Sequence, residues 1–139
     1  MRFMILRKAD TRTEADMLPN AALLAAMDRY IQAMAQADVL LSAEGLRASG
    51  LGVRVNFVNG NATVTHGPFA MADSLVAGYC VIQVASLDDA IAWVKRWPKL
   101  DGDGTVEIEI RQLFEADYFG AELTPEQREA DQVIRARAA

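Results

Sequence analysis

The chain has 139 residues, of which 52% are hydrophobic and 24% charged, a balance that predicts one globular domain and excludes a disordered chain. Its 14 Lys and Arg against 19 Asp and Glu give a formal charge of −5, so we expect no nucleic-acid partner, because phosphate-backbone binding requires a basic surface. The single cysteine excludes an intrachain disulfide and a zinc site made from the cysteines of one chain.

The first predicted element is a strand from Arg2 to Arg7. Phe3 and Ile5 alternate with Met4 and Leu6, so both faces of this strand are apolar. The run is too short for a signal peptide, and no stretch of the chain approaches the roughly 20 apolar residues that span a bilayer. We therefore expect a cytoplasmic protein with no membrane partner.

The next predicted elements are a loop, a long helix and a second strand. The polar stretch from Asp10 to Asp16 predicts the loop, and helical spacing then runs from about Asn20 to Ala37 with no internal Gly or Pro. The segment from Asp38 to Leu46 predicts the second strand. The apolar stripe of the helix consists of Leu23, Met27, Tyr30, Ile31 and Met34.

A β-hairpin follows the second strand. Val53 to Val58 alternates between apolar and polar residues, and Ala62 to His66 is its return strand. Between them lies Asn59-Gly60, a strong signal for a type I′ turn because both central positions of that turn require positive φ.

The remaining elements of the sheet are a central strand, a helix and a last strand. Val76 to Val84 is apolar in both alternating phases, which predicts a strand covered on both faces. Ser86 then predicts a helix N-cap, and Pro98 ends the helical pattern. Residues 101–104 (Asp-Gly-Asp-Gly) lack the further ligands of a calcium loop and predict a turn. The last strand is predicted from Val106 to Leu113.

The C-terminal tail differs in kind from the preceding chain. Thr124 followed by Pro and then Gln127 predicts the start of a polar helix that runs to about Arg137. We therefore divide the chain into a domain at 1–114 and a C-terminal helical extension at 115–139. The extension is expected to pack weakly, either on its own chain or on a partner.

Several short segments occur in an order that identifies a family. They are Ala43-Glu44-Gly45-Leu46, His66-Gly67-Pro68-Phe69, Gly78-Tyr79, Ser86-Leu87-Asp88-Asp89-Ala90 and Val106-Glu107-Ile108-Glu109-Ile110-Arg111. Together they resemble the YCII-related family, in the branch named for an Asp-Gly-Pro-Phe (DGPF) signature. The resemblance covers roughly Met1 to Phe114, and His66 stands where the branch carries its Asp.

A shorter branch of this family includes a dechlorinating enzyme, which is thought to act through a His–Asp pair whose histidine lies in the first helix. The first predicted helix of this chain contains no histidine. The resemblance therefore does not carry that pair, or its chemistry, to this chain.

The order β-α-β-hairpin-β-α-β predicts a ferredoxin-like α+β sandwich with an inserted β-hairpin. Two helices cover only one face of such a sheet, yet the first and central strands are apolar on both faces, so the second face needs cover. We expect a homodimer whose sheets pack face to face, and the resemblance likewise implies a dimeric α+β barrel. In the alternative, the tail helix covers the open face.

Five residues are candidates for a functional site. His66 beside the Gly-Pro bend is a candidate catalytic acid or base, since histidine titrates near neutral pH, although a ligand contact or a structural role fits the same pattern. Glu44 and Arg111 are candidate polar contacts for a ligand, with an edge carboxylate and a simple Arg–Glu pair as their alternatives. Phe69 and Tyr79 are candidate aromatic walls, with core packing as theirs.

Three functions are compatible with these residues. The first is a small-molecule-binding protein with a pocket near the His-Gly-Pro-Phe motif that takes an aromatic or carboxylate-bearing ligand. The second is a lyase or hydrolase that needs no cofactor and uses His66 as a general base. The third is a regulatory or interaction protein, since the resemblance includes relatives encoded beside alternative sigma factors. No motif for a metal, nucleotide or other cofactor occurs in the chain.

Overall fold

The structure, a computed structural model, describes residues 1–138. Within that range the chain forms six strands and four helices, joined by short 3-10 turns. The strands are β1 (Arg2–Lys8), β2 (Leu40–Gly45), β3 (Val53–Val58), β4 (Asn61–His66), β5 (Val76–Gln83) and β6 (Ile108–Gln112). The helices are α1 (Thr11–Glu14), α2 (Ala21–Gln36), α3 (Leu87–Val94) and α4 (Pro125–Ala138).

The main sheet has the strand order β2-β5-β1-β6, and every neighbouring pair is antiparallel. With α2 and α3 as the two connections, this is the order of the ferredoxin-like sandwich, so that prediction is confirmed. Strands β3 and β4 form a separate two-stranded sheet inserted between β2 and β5, which confirms the inserted hairpin.

Local capping explains where the helices begin. The Asn20 side chain accepts a hydrogen bond from the backbone N–H of Leu23 at 2.8 Å, and the Ser86 hydroxyl accepts one from Asp89 at 3.1 Å. Each bond satisfies an N–H that has no partner within its helix. Both predicted helix starts are therefore confirmed.

The core lies between the helices and one face of the sheet. Phe3, Ile5, Met34 and Ile82 are fully buried there. The Tyr30 hydroxyl donates to the Trp93 carbonyl at 2.7 Å, which ties α2 to α3. The opposite, open face of β1 and β5 carries Met4, Leu6, Tyr79 and Val81, which are only half-buried.

Three predicted elements differ from the structure, one of them the last strand, which runs from Ile108 to Gln112 rather than from Val106 to Leu113. The stretch from Asp10 to Asp16 contains helix α1, closed by a capping box in which Asp10 and Thr13 hydrogen-bond to each other's backbone N–H. A helix of four residues is too short to show a helical period in the sequence. The second strand begins at Leu40 rather than Asp38, because the N–H of Asp38 still donates to a carbonyl of α2.

Helix α4 confirms the predicted tail helix. Thr124 and Gln127 form the expected reciprocal cap, at 2.8 and 3.2 Å. The helix buries none of its residues, and Val133 and Ile134 are exposed, so α4 does not seal the open face of the sheet. The division of the chain after residue 114 stays a prediction. Among the described helices, none is long and apolar enough to cross a membrane.

The Cys80 thiol is buried in β5, where loss of solvation raises its pKa to about 11. Since the thiolate is the reactive form, we expect a disulfide reagent to label Cys80 about a hundredfold more slowly in the folded chain than in the chain unfolded by guanidinium. The labelling rates, followed by absorbance at mildly alkaline pH, check this. Equal rates in the two states would contradict it.

Candidate functional site

A cavity of about 670 Å³ lies between the first half of α2, the segment around α1 and the ends of β2 and β5. We call it the α2 cavity. Its volume falls within the range of small-molecule sites in proteins. The apolar residues on its wall include Met17, Leu18, Leu23, Met27, Ile31, Trp97 and Leu100.

A buried ion pair lies at the α2 cavity. Arg7, at the end of β1, donates from Nε and Nη2 to the two carboxylate oxygens of Asp101, at 3.0 and 2.7 Å. The indole N–H of Trp97 donates to the same carboxylate at 2.9 Å. Arg7 Nη1 lies 3.0 Å from a carboxylate oxygen of Asp10. One guanidinium is thus held by two carboxylates.

This network keeps both carboxylates ionised. Burial alone would raise the pKa of Asp101, but the hydrogen bonds from Arg7 and Trp97 outweigh it, and the pKa lies below its ordinary value. The pKa of Asp10 is lowered too, because the Thr13 N–H and Arg7 outweigh its partial burial. Neither carboxylate is protonated at neutral pH, so neither can serve there as a general acid.

Two more ion pairs lie at the mouth of the α2 cavity. Arg47 donates from Nε to Asp16 at 3.0 Å, and hydrogen bonds from Arg47 and the Ala48 N–H lower the pKa of Asp16 to about 2. Arg12 lies 2.8 Å from Asp103. Each of the three arginines that border the cavity is therefore already paired with a carboxylate.

The sequence prediction missed this network. Residues 101–104 were expected to form only a turn, whereas Asp101 is buried against Arg7. One signal was present: Arg7 follows Phe3 and Ile5 at the spacing of residues on one strand face, which places a charge on the core side of β1. A buried arginine requires a carboxylate partner, but the sequence did not indicate which one.

Two of the five candidate residues, Glu44 and Tyr79, belong to strand ends that line the α2 cavity, and they lie directly opposite each other on β2 and β5. Their side chains, however, lie on the open face of the sheet with Leu6, whereas the α2 cavity lies on the face covered by α2. Arg111 shares their sheet face but lies on β6, three strand spacings or about 14 Å from β2, and pairs with Glu109 at 3.4 Å. Within one chain, Arg111 and Glu44 do not converge.

The other two candidates lie outside the α2 cavity. His66 is the exposed last residue of β4, opposite Val53. Phe69 packs under the Arg54 guanidinium, 3.9 Å from its ring centroid. The ligand-binding and catalytic roles of these residues stay predictions.

The His-Gly-Pro-Phe motif has a clear local role in the structure. The N–H of Gly67 donates to the Gly52 carbonyl at 2.9 Å, and the Phe69 N–H donates to the Ser49 hydroxyl at 3.0 Å. Ser49 in turn donates from its N–H to the Glu14 carboxylate at 3.1 Å. The motif therefore fixes the base of the hairpin to the loop after β2 and to α1.

Comparison with known proteins identifies the domain. The family of YCII-related domains matches residues 1–115. Among solved structures, the chain is similar to the 5-chloro-2-hydroxyhydroquinone dehydrochlorinase of Burkholderia phenoliruptrix, determined in complex with 2,5-dihydroxybenzoquinone. The two are 13% identical with a TM-score of 0.44, over 85% of this chain and 98% of that one. A comparison with curated proteins finds no significant match.

Proposed function

The chain belongs to the YCII-related family, and from that premise we propose that it binds a small, ring-containing, uncharged molecule in the α2 cavity. The observation that carries this proposal is a cavity of about 670 Å³ with an apolar wall and a polar mouth. Such a site gains affinity from burying apolar ligand surface and orientation from a few polar groups.

The charges around the α2 cavity favour an uncharged ligand over a carboxylate. Three arginines border it against four acidic residues, apart from Glu44, whose side chain lies on the other face of the sheet. Because each arginine is already held by a carboxylate, an anionic ligand would have to displace one. The four acidic residues are Asp10, Asp16, Asp101 and Asp103.

The carboxylates at the mouth of the α2 cavity, Asp16 and Asp103, are the best candidates for a polar ligand contact. Glu44 is not, because its side chain lies beside Tyr79 on the open face of the sheet. A carboxylate accepts hydrogen bonds, so it suits a hydroxyl or N–H group on the ligand. Neither a His66-based reaction nor a regulatory role gains support from the cavity, since His66 lies outside it.

The proposal is tested with a tryptophan that fills the α2 cavity. Leu23 lines the cavity, whereas its neighbour Leu24 is exposed to solvent. Leu23→Trp and Leu24→Trp therefore add the same side-chain volume, but only Leu23→Trp obstructs the cavity. Phenol, indole and benzoate serve as probes, with binding measured by ligand-observed NMR. We expect phenol and indole to bind better than benzoate, and Leu23→Trp to weaken their binding by at least about tenfold, or roughly 1.4 kcal/mol.

Leu24→Trp is the matched control and is expected to bind phenol and indole as the unaltered chain does. The proposal fails if the unaltered chain binds none of the probes, or if Leu23→Trp leaves phenol and indole binding unchanged. Tighter binding of benzoate than of phenol would overturn the charge argument but not the cavity.

We also propose that the protein is a homodimer that covers the open face of its sheet with a second copy. This is supported by the half-buried side chains of Met4, Leu6 and Val81 on that face. Helix α4 has no buried residue, so it does not cover them. Apolar surface left partly in water favours association. Sedimentation equilibrium measures this directly, and a monomer at high concentration would contradict it.

A further inference from the structure

The inserted hairpin, which we call the arm (residues 53–66), has two chemically different faces. Directly paired residues of antiparallel strands lie on the same face, and the pairing places valine opposite valine and phenylalanine opposite alanine. The other face carries Asn56 opposite Thr63, and Arg54 opposite Thr65. The apolar face consists of Val53, Val55, Phe57, Ala62 and Val64, with His66 at its base.

Nothing in the described chain covers this apolar face. Every residue of β3 and β4 is exposed, and the Phe57 side chain is 70% exposed. The arm is nevertheless held in place at its base, through the Gly67–Gly52 and Phe69–Ser49 hydrogen bonds. An ordered apolar surface without cover is the mark of an interaction site.

The tail carries further uncovered apolar side chains in two groups, the aromatic residues Phe114, Tyr118 and Phe119 and the α4 residues Val133 and Ile134, which together we call the tail patch. The rings of Phe114, Tyr118 and Phe119 cluster with centroids 5.4 and 6.3 Å apart, and all three are exposed. On α4, Val133 and Ile134 are exposed as well, Ile134 at 65%.

The arm and the tail leave opposite ends of the sheet. The arm arises beyond Gly45 and Val76, near the Lys8 end of β1. The tail follows Gln112, which pairs at the Arg2 end of β1, and β1 spans about 23 Å. One chain therefore presents its two apolar surfaces far apart. In a two-fold symmetric dimer, the arm of each copy can contact the tail of the other, so that the same contact forms twice.

We propose that the apolar face of the arm of one copy packs on the tail patch of a second copy, and the reverse, in a reciprocal dimer. Charge supports this choice of partner. The arm carries one arginine and no acid, whereas the tail from residue 115 carries six acids and three arginines. Opposite net charges steer the two surfaces together and disfavour an arm packing on another arm.

The contact is tested by cross-linking two single variants. Phe57→Cys and Ile134→Cys are prepared separately, mixed and oxidised, and the products are separated without reductant. The only natural cysteine is buried, so the unaltered chain is the background control. We expect a disulfide-linked dimer in the mixture and little in either variant alone.

Each other outcome overturns the arm–tail contact. A cross-link in Phe57→Cys alone means that arm packs on arm. A cross-linked monomer in the double variant, without dimer in the mixture, means that the arm reaches its own tail. Absence of any cross-link means that neither surface meets the other.

A second measurement separates this contact from the rest of the dimer. Phe57→Asp places a charge on the apolar face of the arm, and Thr63→Asp places the same charge on its polar face. We expect Phe57→Asp to weaken the dimer at least about tenfold in sedimentation equilibrium and Thr63→Asp to leave it near its original strength. Equal effects would overturn the inference, while probe binding in the α2 cavity reports independently on the proposed function.

Discussion

Replacement of Arg7 by leucine is expected to lower the free energy of unfolding by about 3–5 kcal/mol, the usual result of removing one member of a buried ion pair. The Arg7 and Asp101 side chains are only 8% and 12% exposed. Without the guanidinium, the Asp101 carboxylate would lose its only cationic partner among the described residues, and Asp10 would lose its ion pair as well. Because little water reaches the position of the guanidinium, solvent would not replace it. Urea unfolding at neutral pH measures the loss.

The matched control is Arg12→Leu. Arg12 and Asp103 form an ion pair of similar length, but their side chains are 61% and 75% exposed. Solvent screens such a pair, so its loss is expected to cost less than about 1 kcal/mol. Similar destabilisation by the two substitutions would show that burial of the Arg7 network does not matter.

The same network predicts how stability depends on pH. The folded-state pKa values of Asp101 and Asp10 lie below the ordinary value of 3.8, so their contribution is present above that value and is lost as pH falls through the lowered ones. In Arg7→Leu the main cause of the lowering at Asp101 is absent, while at Asp10 the hydrogen bond from the Thr13 N–H remains. As the pH falls from neutral to below 3.8, the free energy of unfolding of Arg7→Leu should therefore decrease less steeply than that of the unaltered chain.

The second large effect is expected from Gly67→Ala in the His-Gly-Pro-Phe motif. A Cβ atom at this position would lie 1.7 Å from the Ser49 carbonyl oxygen and 2.6 Å from its carbon. These are backbone atoms, so the chain must move. We expect a loss of about 2–3 kcal/mol in unfolding free energy, the upper part of the range for overpacking. Urea unfolding measures it.

Gly45→Ala is the control for this substitution, because a Cβ atom at Gly45 would meet nothing within 4 Å. It is expected to change stability by less than about 0.5 kcal/mol. Gly67→Ala should also speed hydrogen exchange at the base of the arm, since the Gly67 N–H bonds to Gly52. Undisturbed exchange there, together with unchanged stability, would mean that the motif does not anchor the arm.

Much of the secondary structure could be predicted because its causes are local. Asn59 and Gly60 both adopt positive φ, at 50° and 81°, as the predicted type I′ turn requires. Asn20 and Ser86 cap their helices through bonds to residues three positions on. With the turn and caps placed, the order of strands and helices leaves few topologies, and the ferredoxin-like one follows.

The sequence by itself therefore determined the elements and their order, because spacing along the chain encodes contacts between near neighbours. Only the tertiary structure decided the site. It paired Arg7 with Asp101 across 94 positions, seated Gly67 against Ser49 and opened the α2 cavity between α2 and the sheet. It also left His66 exposed on the arm, outside the α2 cavity. Such contacts depend on how strands register and loops pack, and no local spacing carries that information.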